Sequence, residues 1–222
     1  MNMKNLAASA VAIAGLAVGG PALAQQKDSG WYIGGGLGQS RVNIDEAGIN
    51  AGIVAQIPGL TAVTSSDETD TGWKLYGGYQ FNKNIALELT YADLGKFNTF
   101  TTFTGVARGS GTGDIKLQNN WSGDVLGILP FGNGFSVFGR LGLLYSETKT
   151  SATATRTAPL PVVTVGLSQS DNEWSYKFGL GVGYEFTPQF GIRGEWERYR
   201  VSDGAGGTAD ADLWSVSVRY KF

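Results

Sequence analysis

Residues 174–186 alternate between two kinds of side chain, and this alternation constrains the fold more than any other feature of the chain. One set is apolar and aromatic: Trp174, Tyr176, Phe178, Leu180, Val182, Tyr184 and Phe186. The positions between them carry only serine, glycine, lysine or glutamate. Such a period of two predicts a β-strand with one apolar face. Because aromatic residues mark both ends of the apolar band, about ten residues apart, we expect that face to contact lipid.

The same alternation recurs along the chain and predicts an all-β fold of eight strands. The expected strands are 31–42, 72–81, 84–94, 119–129, 135–146, 174–186, 190–200 and 212–222. Three connections are tight turns, and four are long and polar: 43–71, 95–118, 147–173 and 201–211. Short turns at one rim and long loops at the other are typical of an antiparallel up-and-down transmembrane β-barrel, with periplasmic turns and extracellular loops. We expect the first and last strands to pair and close the sheet.

Two of the long connections contain apolar runs, GINAGIVAQIPGLTAV (48–63) and APLPVVTVGL (158–167). These runs could bind a host or surface ligand, or they could extend the strands above the membrane, and strand extension is the favoured interpretation. Segments 146–170 and 202–212 are rich in small and polar residues, so we expect them to be solvated and mobile.

The N-terminal segment predicts export. Lys4 precedes an apolar run, and Ala22 and Ala24 occupy the −3 and −1 positions before Gln25. We expect residues 1–24 to be a cleaved signal peptide and residues 25–222 to form the barrel domain. A membrane anchor is the alternative, but the run is shorter than the roughly 20 residues that a spanning helix needs.

Ten charged residues are expected to face the lumen, five basic and five acidic. They are Lys74, Glu88, Asp124, Arg140, Lys177, Glu185, Arg193, Glu195, Glu197 and Arg219. An eight-stranded barrel encloses little more than its own side chains. Since an unpaired buried charge is costly, we expect mutual pairing in a polar plug, with glycines on the same face leaving room for the long side chains. Slow passage of ions through rearranging pairs is the alternative.

Aromatic residues near the strand ends predict a girdle at the two membrane interfaces. Its expected members are Trp31, Trp73, Tyr79, Phe81, Trp174, Tyr184, Phe186, Trp196 and Trp214. The chain ends on an alternating strand with Val218, Tyr220 and Phe222 on its apolar face. This ending resembles the signal by which the barrel-assembly machinery recognises outer-membrane proteins, and it predicts the outer membrane of a Gram-negative bacterium.

Two stretches, GGYQFNKNIALELTYADLG (77–95) and VGYEFTPQFGIRGEWERY (182–199), resemble hairpins of the OmpA-like transmembrane β-barrel family, and Arg140-Leu-Gly142 after Pro130 has similar spacing. In that family lumenal charges block or gate the interior, and the resemblance implies this role for Glu88, Arg140, Arg193 and Glu195. Leu126 stands where the family has a lysine. Longer members carry a peptidoglycan-binding domain after the barrel, and we expect this chain to be the barrel domain alone.

Function is less constrained than fold. The outer-membrane phospholipase, protease and palmitoyltransferase types rely on histidine as a general base, and this chain has none. We therefore expect no enzyme, catalytic residue, metal or cofactor. A structural or envelope-integrity barrel with a surface-exposed role is favoured. The alternatives are a small low-conductance porin for ions and small solutes, and an adhesin or surface antigen that acts through its long loops. A soluble lipocalin-like barrel is the architectural rival, and it would bury its apolar faces inward.

The expected partners follow from the membrane setting. They are outer-membrane lipid and lipopolysaccharide, with the barrel-assembly machinery and periplasmic chaperones during biogenesis. A host or surface ligand at the long loops is a further possibility. The formal net charge of −2 gives no basis for a nucleic-acid partner. We expect a monomer.

Overall fold

A computed structural model describes residues 29–158, 161–202 and 208–222, and these residues form an antiparallel barrel. The elements are β1 (Gly30–Val42), α1 (Glu46–Gln56), β2 (Leu60–Asp67), β3 (Thr69–Asn82), β4 (Ile85–Asp93), β5 (Gly95–Gly105), β6 (Arg108–Gly132), β7 (Phe135–Ala158), β8 (Val163–Glu185), β9 (Phe190–Ser202) and β10 (Thr208–Lys221). The expected signal peptide, residues 1–24, lies outside the described residues.

Eight of the strands close into a ring. Its order is β1, β3, β4, β6, β7, β8, β9 and β10, and β10 pairs with β1. Tyr32 of β1 lies between Gly78 of β3 and Lys221 of β10, so the first and last strands pair as predicted. The tight turns lie at one rim. In the turn between β6 and β7, Asn133 and its two flanking glycines have positive φ angles, which glycine adopts without strain.

The side chains that point out of the ring are mostly apolar. Leu141, Leu143, Leu180 and Val216 are each more than 60% exposed although they lie in the middle of their strands. A soluble barrel would turn these residues inward. The alternation therefore places lipid on the outside and the charged face on the inside.

The expectation of a polar loop at 95–118 is wrong. Residues 95–105 form β5, and the upper half of β6 pairs with it. Only Leu94 separates β5 from β4, and the register on β6 is continuous across this break, with Ala92 opposite Asn120 and Gly95 opposite Leu117. Gly95 has φ +88°, which bends the chain there. The strand thus continues above the membrane because its backbone groups find partners on β6.

The expected strand extension at 147–173 is confirmed. Residues 146–170, which were expected to be a solvated, mobile segment, lie mostly in these paired strands. Strands β7 and β8 pair continuously from Thr148 opposite Asp171 to Arg156 opposite Val163. In the 43–71 connection the extension is right for β2, which pairs with β5, but wrong for residues 46–56. There EAGINAGIVAQ lacks strand alternation and forms α1, and the Asp45 carboxylate caps the helix by accepting a hydrogen bond from the Gly48 backbone at 2.9 Å.

Together β2, β5 and the upper parts of β6, β7 and β8 form an open sheet above the ring, which we call the extracellular sheet. Helix α1 packs against β2, where Asn50 accepts a hydrogen bond from Thr64 at 2.7 Å. At the base of the extracellular sheet, the Asn119 side-chain amide and the Lys149 ammonium contact the Glu147 carboxylate at 2.8 and 2.9 Å. These contacts, the Asn119 hydrogen bond first, lower the pKa of Glu147 below its ordinary value. Within the described part of the chain, no helix has the length and apolarity to cross a membrane.

Candidate functional site in the barrel lumen

Eight buried charged side chains meet in the middle of the lumen, and we call them the ion cluster. Its members are Lys74 of β3, Glu88 of β4, Asp124 of β6, Arg140 of β7, Lys177 of β8, and Arg193, Glu195 and Glu197 of β9. All eight are among the residues predicted to face inward. Four are basic and four are acidic, so the cluster balances its own charge.

Arg140 is the centre of the cluster. Its Nη2 lies 2.6 Å from Glu195 and 3.0 Å from Glu88. Its Nη1 lies 3.0 Å from Glu197 and 3.4 Å from Asp124. One guanidinium therefore contacts all four carboxylates, which its planar, five-donor geometry permits and a lysine would not.

The two lysines complete the pairing on the extracellular side of the cluster. Lys74 lies 2.8 Å from Glu195 and also donates to Glu197. Lys177 lies 3.0 Å from both Asp124 and Glu197. Glu197 thus contacts three cations, two lysines and Arg140, and it is fully buried.

Arg193 extends the cluster toward the periplasm. Its Nη1 contacts the Glu88 carboxylate at 2.9 Å, and its guanidinium carbon lies 5.1–5.3 Å from the rings of Tyr32, Tyr76 and Phe138. Glu88 contacts Arg140 and Arg193 together, while the Tyr32 hydroxyl donates to it at 3.0 Å.

Glycines on the inward face make room for these side chains, as their alternation predicted. In the register of the sheet Gly179 lies between Arg140 and Glu197, and Gly142 lies between Asp124 and Lys177. A Cβ atom on Gly179 would stand 3.0 Å from the Cγ of Glu197. The glycine rows therefore leave the space that the long charged side chains occupy.

Two of the ten predicted lumenal charges lie apart from the cluster. Glu185 and Arg219 form their own ion pair nearer the periplasmic turns, where the Glu185 side chain is 26% exposed. Their positions late in β8 and β10 place them at the rim instead of the centre. Sequence reasoning also missed Lys221, whose buried ammonium donates to Gln80 at 3.1 Å. Lys221 is two residues after Arg219, so strand alternation could have identified it.

Apolar side chains pack together in the lumen on both sides of the ion cluster. The extracellular layer contains Val42, Ala92, Leu94, Phe97, Leu117, Leu144, Tyr199, Val201, Ala211 and Leu213. The periplasmic layer contains Tyr32, Tyr76, Ala86, Leu126, Ile128 and Phe138. The extracellular layer was not predicted, because Phe97 and Leu117 belong to a segment that was expected to be a loop. Because the eight cluster residues are at most 5% exposed, the charge pairs lie in a medium of low dielectric constant, which strengthens their attraction.

The predicted girdle residues lie on the outer face at two levels. Trp31, Tyr79, Phe81, Tyr184 and Phe186 lie near the turns, and Trp73, Trp174, Trp196 and Trp214 lie farther up the strands. Sequence reasoning missed Tyr91, Trp121 and Tyr145, which join the upper level through ring contacts. The centroids are 5.4 Å apart for Trp73 and Tyr91, 4.9 Å for Tyr91 and Trp121, and 5.2 Å for Tyr145 and Trp174.

The residues expected to form the assembly signal lie on the outer face at the end of the chain. Val218 is 39% exposed and Phe222 is 67% exposed. The Tyr220 ring packs between those of Phe190 and Phe222, with centroids 5.0 and 5.1 Å away. These side chains are thus accessible from the lipid side of the barrel.

No group of three or more histidine, cysteine, aspartate or glutamate side chains in the described residues is arranged to hold a metal ion. In the ion cluster each carboxylate faces arginine or lysine instead.

Solved structures with a similar arrangement include outer-membrane proteins of several bacteria. Ail, the attachment invasion locus protein of Yersinia pestis, solved with the heparin analogue sucrose octasulfate, is 19% identical; the match covers 88% of this chain and all of that one, with a TM-score of 0.49. OprG of Pseudomonas aeruginosa is 16% identical over 89% of this chain and 98% of that one, with a TM-score of 0.46. Neisserial surface protein A is 13% identical over 88% of this chain and all of that one, with a TM-score of 0.45. A comparison with curated proteins found no match.

The family model described as the outer membrane protein beta-barrel domain matches residues 8–222, nearly the whole chain. This match agrees with the closed ring, the lipid-facing apolar bands and the charged lumen. The chain therefore belongs to the outer membrane protein beta-barrel family, and it is a protein of the Gram-negative outer membrane.

Proposed function

We propose that the protein is a closed, structural barrel of the cell envelope that holds the extracellular sheet at the bacterial surface. The observation that supports this proposal is the filling of the lumen. The ion cluster is paired within itself and lies between two apolar layers.

Conduction would require an ion to cross both apolar layers and to separate charge pairs between them. Moving an unpaired ion into an apolar medium costs tens of kcal/mol in the Born limit. Breaking a buried ion pair costs a further amount of about 3–5 kcal/mol. The low-conductance porin is therefore the less favoured alternative.

Conductance measurements in planar lipid bilayers distinguish a closed structural barrel from a porin. We expect purified, heat-modifiable protein to insert without conductance steps. Arg140 lies in the lumen and Arg198 lies on the outer rim. Comparing Arg140→Ala with Arg198→Ala therefore distinguishes conductance through this barrel from conductance by a contaminant. Steps that occur with the unmodified protein, change size in Arg140→Ala and stay unchanged in Arg198→Ala would establish a porin and refute the proposal.

A second candidate, surface attachment through the extracellular sheet, is favoured by exposed apolar residues at its top. Val163, Val165 and Leu167 are 40%, 55% and 73% exposed along the upper part of β8. They lie well beyond the Trp174 level of the girdle, so lipid does not account for them. An apolar strip above the membrane is typical of a contact surface.

The register of β7 and β8 allows the top of this hairpin to be removed, together with its pairing to residues 108–113 of β6. Ser151 lies opposite Ser168, so residues 152–167 can be replaced by an Asn-Gly turn without disturbing the pairing below. We expect the shortened protein to remain heat-modifiable and to lose binding to host cells. A triple threonine variant at Val163, Val165 and Leu167 keeps the hairpin and serves as the matched control for the apolar contribution. Full binding by both variants would exclude the attachment role.

A further inference from the structure

A cavity of about 870 Å³ lies at the extracellular mouth of the ring, above the ion cluster. It extends across the mouth from β6 to β9, β10 and β1. Strands β6 and β10 are four places apart in the ring, so the cavity spans its full width. Helix α1 adds a further wall through Gly48 and Ile49. Walls from five elements enclose the space on several sides, which is typical of a small-molecule pocket.

Apolar side chains make up much of the wall. Six of them come from the strands and from the connection after β1: Val42, Ile44, Ile115, Leu117, Val201 and Ala209. Three of these belong to the extracellular apolar layer, and the other three are half-buried and pack against it. The cavity therefore borders the extracellular apolar layer directly.

Helix α1 contributes an apolar side chain that the fold leaves exposed. Ile49 lines the cavity and is 37% exposed. All residues of α1 lie within the described ranges, and none of them is buried. The apolar run at 48–63 thus presents Ile49 to the cavity. Because covering apolar surface removes it from water, a ligand with an apolar body would be stabilised by contact with Ile49 and Ile115.

The charged side chains at the rim of the cavity already have partners. Arg198 contacts Asp212 at 2.7 Å and Asp210 at 3.9 Å. Arg41 contacts Glu68 at 3.2 Å, and the remaining carboxylate of the wall caps α1. An ionic ligand would have to compete with these contacts. A neutral polar group can instead add hydrogen bonds to them, so the rim favours an uncharged ligand.

We propose that this cavity binds a small, uncharged organic molecule from outside the cell, with its apolar body against Ile49 and Ile115 and its polar end at the rim. The volume lies within the range of about 300–1,000 Å³ that small-molecule pockets have. A lipid chain shares the apolar chemistry. However, Arg198 of the rim lies two residues beyond Trp196 of the upper girdle, on the side away from the membrane, which favours a ligand from water.

This site goes beyond the proposed envelope role and does not depend on it. The ligand binds on the extracellular side of the ion cluster and needs no path through the barrel.

A single introduced thiol can report on the cavity, because the chain contains no cysteine. Ile115→Cys places the thiol on the cavity wall. Lys116→Cys is the matched control, since the next residue of β6 is exposed on the opposite face of the strand. The rate of reaction with a water-soluble maleimide is measured for each folded variant in lipid nanodiscs as 2-naphthol, a neutral bicyclic molecule with one hydroxyl group, is added.

We expect 2-naphthol to slow the reaction at position 115 saturably, by at least about fivefold, because a ligand in the pocket would cover the thiol. The rate at position 116 should stay unchanged, and sucrose at the same concentration should slow neither reaction. Adding Ile49→Asn to Ile115→Cys should weaken the apparent affinity for 2-naphthol by at least about threefold, because an apolar contact is lost.

Heat-modifiable migration shows whether each variant has folded, and Ala209→Cys, on the opposite wall, replaces Ile115→Cys if the latter does not fold. Equal slowing at positions 115 and 116 would show non-specific adsorption and overturn the proposal. An unreactive thiol at position 115, a rate there that 2-naphthol leaves unchanged, equal protection by sucrose or an unchanged affinity with Ile49→Asn would also overturn it. A thiol that reacts rapidly in lipid-free amphipol but slowly in nanodiscs before 2-naphthol is added would assign the cavity to a lipid chain and overturn the proposal for a ligand from water.

Discussion

Replacing Arg140 by leucine tests whether the ion cluster stabilises the barrel as the geometry implies. The Arg140 side chain is 1% exposed and contacts four carboxylates between 2.6 and 3.4 Å. Its removal leaves three cations, Lys74, Lys177 and Arg193, to face four buried acids. One carboxylate is then uncompensated in a medium of low dielectric constant. Removing one partner of a buried pair costs about 3–5 kcal/mol, and we expect Arg140→Leu to lose that much free energy of unfolding.

The matched control is Arg198→Leu. Arg198 makes two 2.7 Å hydrogen bonds to Asp212, but its side chain is 37% exposed on the outer rim. Such exposed pairs contribute at most about 1 kcal/mol. The double variant Arg140→Leu with Glu197→Gln restores the charge balance at three against three, so we expect it to be more stable than Arg140→Leu alone.

The assay is equilibrium urea unfolding in thin lipid vesicles, with the heat-modifiable gel band as the measure of folded barrel. A change in the midpoint at constant slope reports a change in stability. A loss of less than about 1 kcal/mol in Arg140→Leu, no greater than that of Arg198→Leu, would refute the view of the cluster as a dry, mutually paired plug. The same view would be refuted if the double variant, Arg140→Leu with Glu197→Gln, were less stable than Arg140→Leu alone.

Three further predictions concern the extracellular apolar layer, a lumenal glycine and helix α1. Phe97→Ala should cost about 3–5 kcal/mol in the same urea assay, because Phe97 is fully buried in the extracellular apolar layer; a loss below 1 kcal/mol would mean that the layer is loosely packed. Gly142→Ala should cost about 1–3 kcal/mol, because the added methyl group would overlap the Asp124 carboxylate, whereas Gly123→Ala has open space around it and should stay within about 0.5 kcal/mol. Asp45→Ala should speed amide hydrogen exchange in α1 by removing its cap, at a local cost of about 0.5–2 kcal/mol, while the urea midpoint of the barrel stays unchanged; an equal shift in both would tie the helix to the global fold.

Much of the ring could be read from local alternation. In β8 the aromatic and apolar positions face outward and Lys177 faces inward, as the period of two requires. All eight members of the ion cluster were predicted as lumenal for the same reason. The same alternation places Lys221, two residues after Arg219, on the lumenal face.

The extracellular sheet was harder to predict, because its strands carry no lipid-facing band. Residues 108–114 and 150–157 are small or polar on both faces, which resembles a solvated loop. They become strands only because β6, β7 and β5 continue to pair with one another above the girdle. Backbone pairing of this kind depends on which segments the barrel brings side by side.

Local alternation is enough to predict which face of each ring strand meets lipid and which meets the lumen, because side-chain direction alternates with every residue of a strand. Which lumenal groups contact one another depends instead on how the strands are assembled. Glu88 and Glu197 lie on different strands, and it is ring closure that brings both within 3.0 Å of Arg140. Likewise, Phe97 and Leu117 cap the cluster only because β5 pairs with β6. Long-range contacts of this kind depend on the register and curvature of the whole sheet, which no single segment specifies.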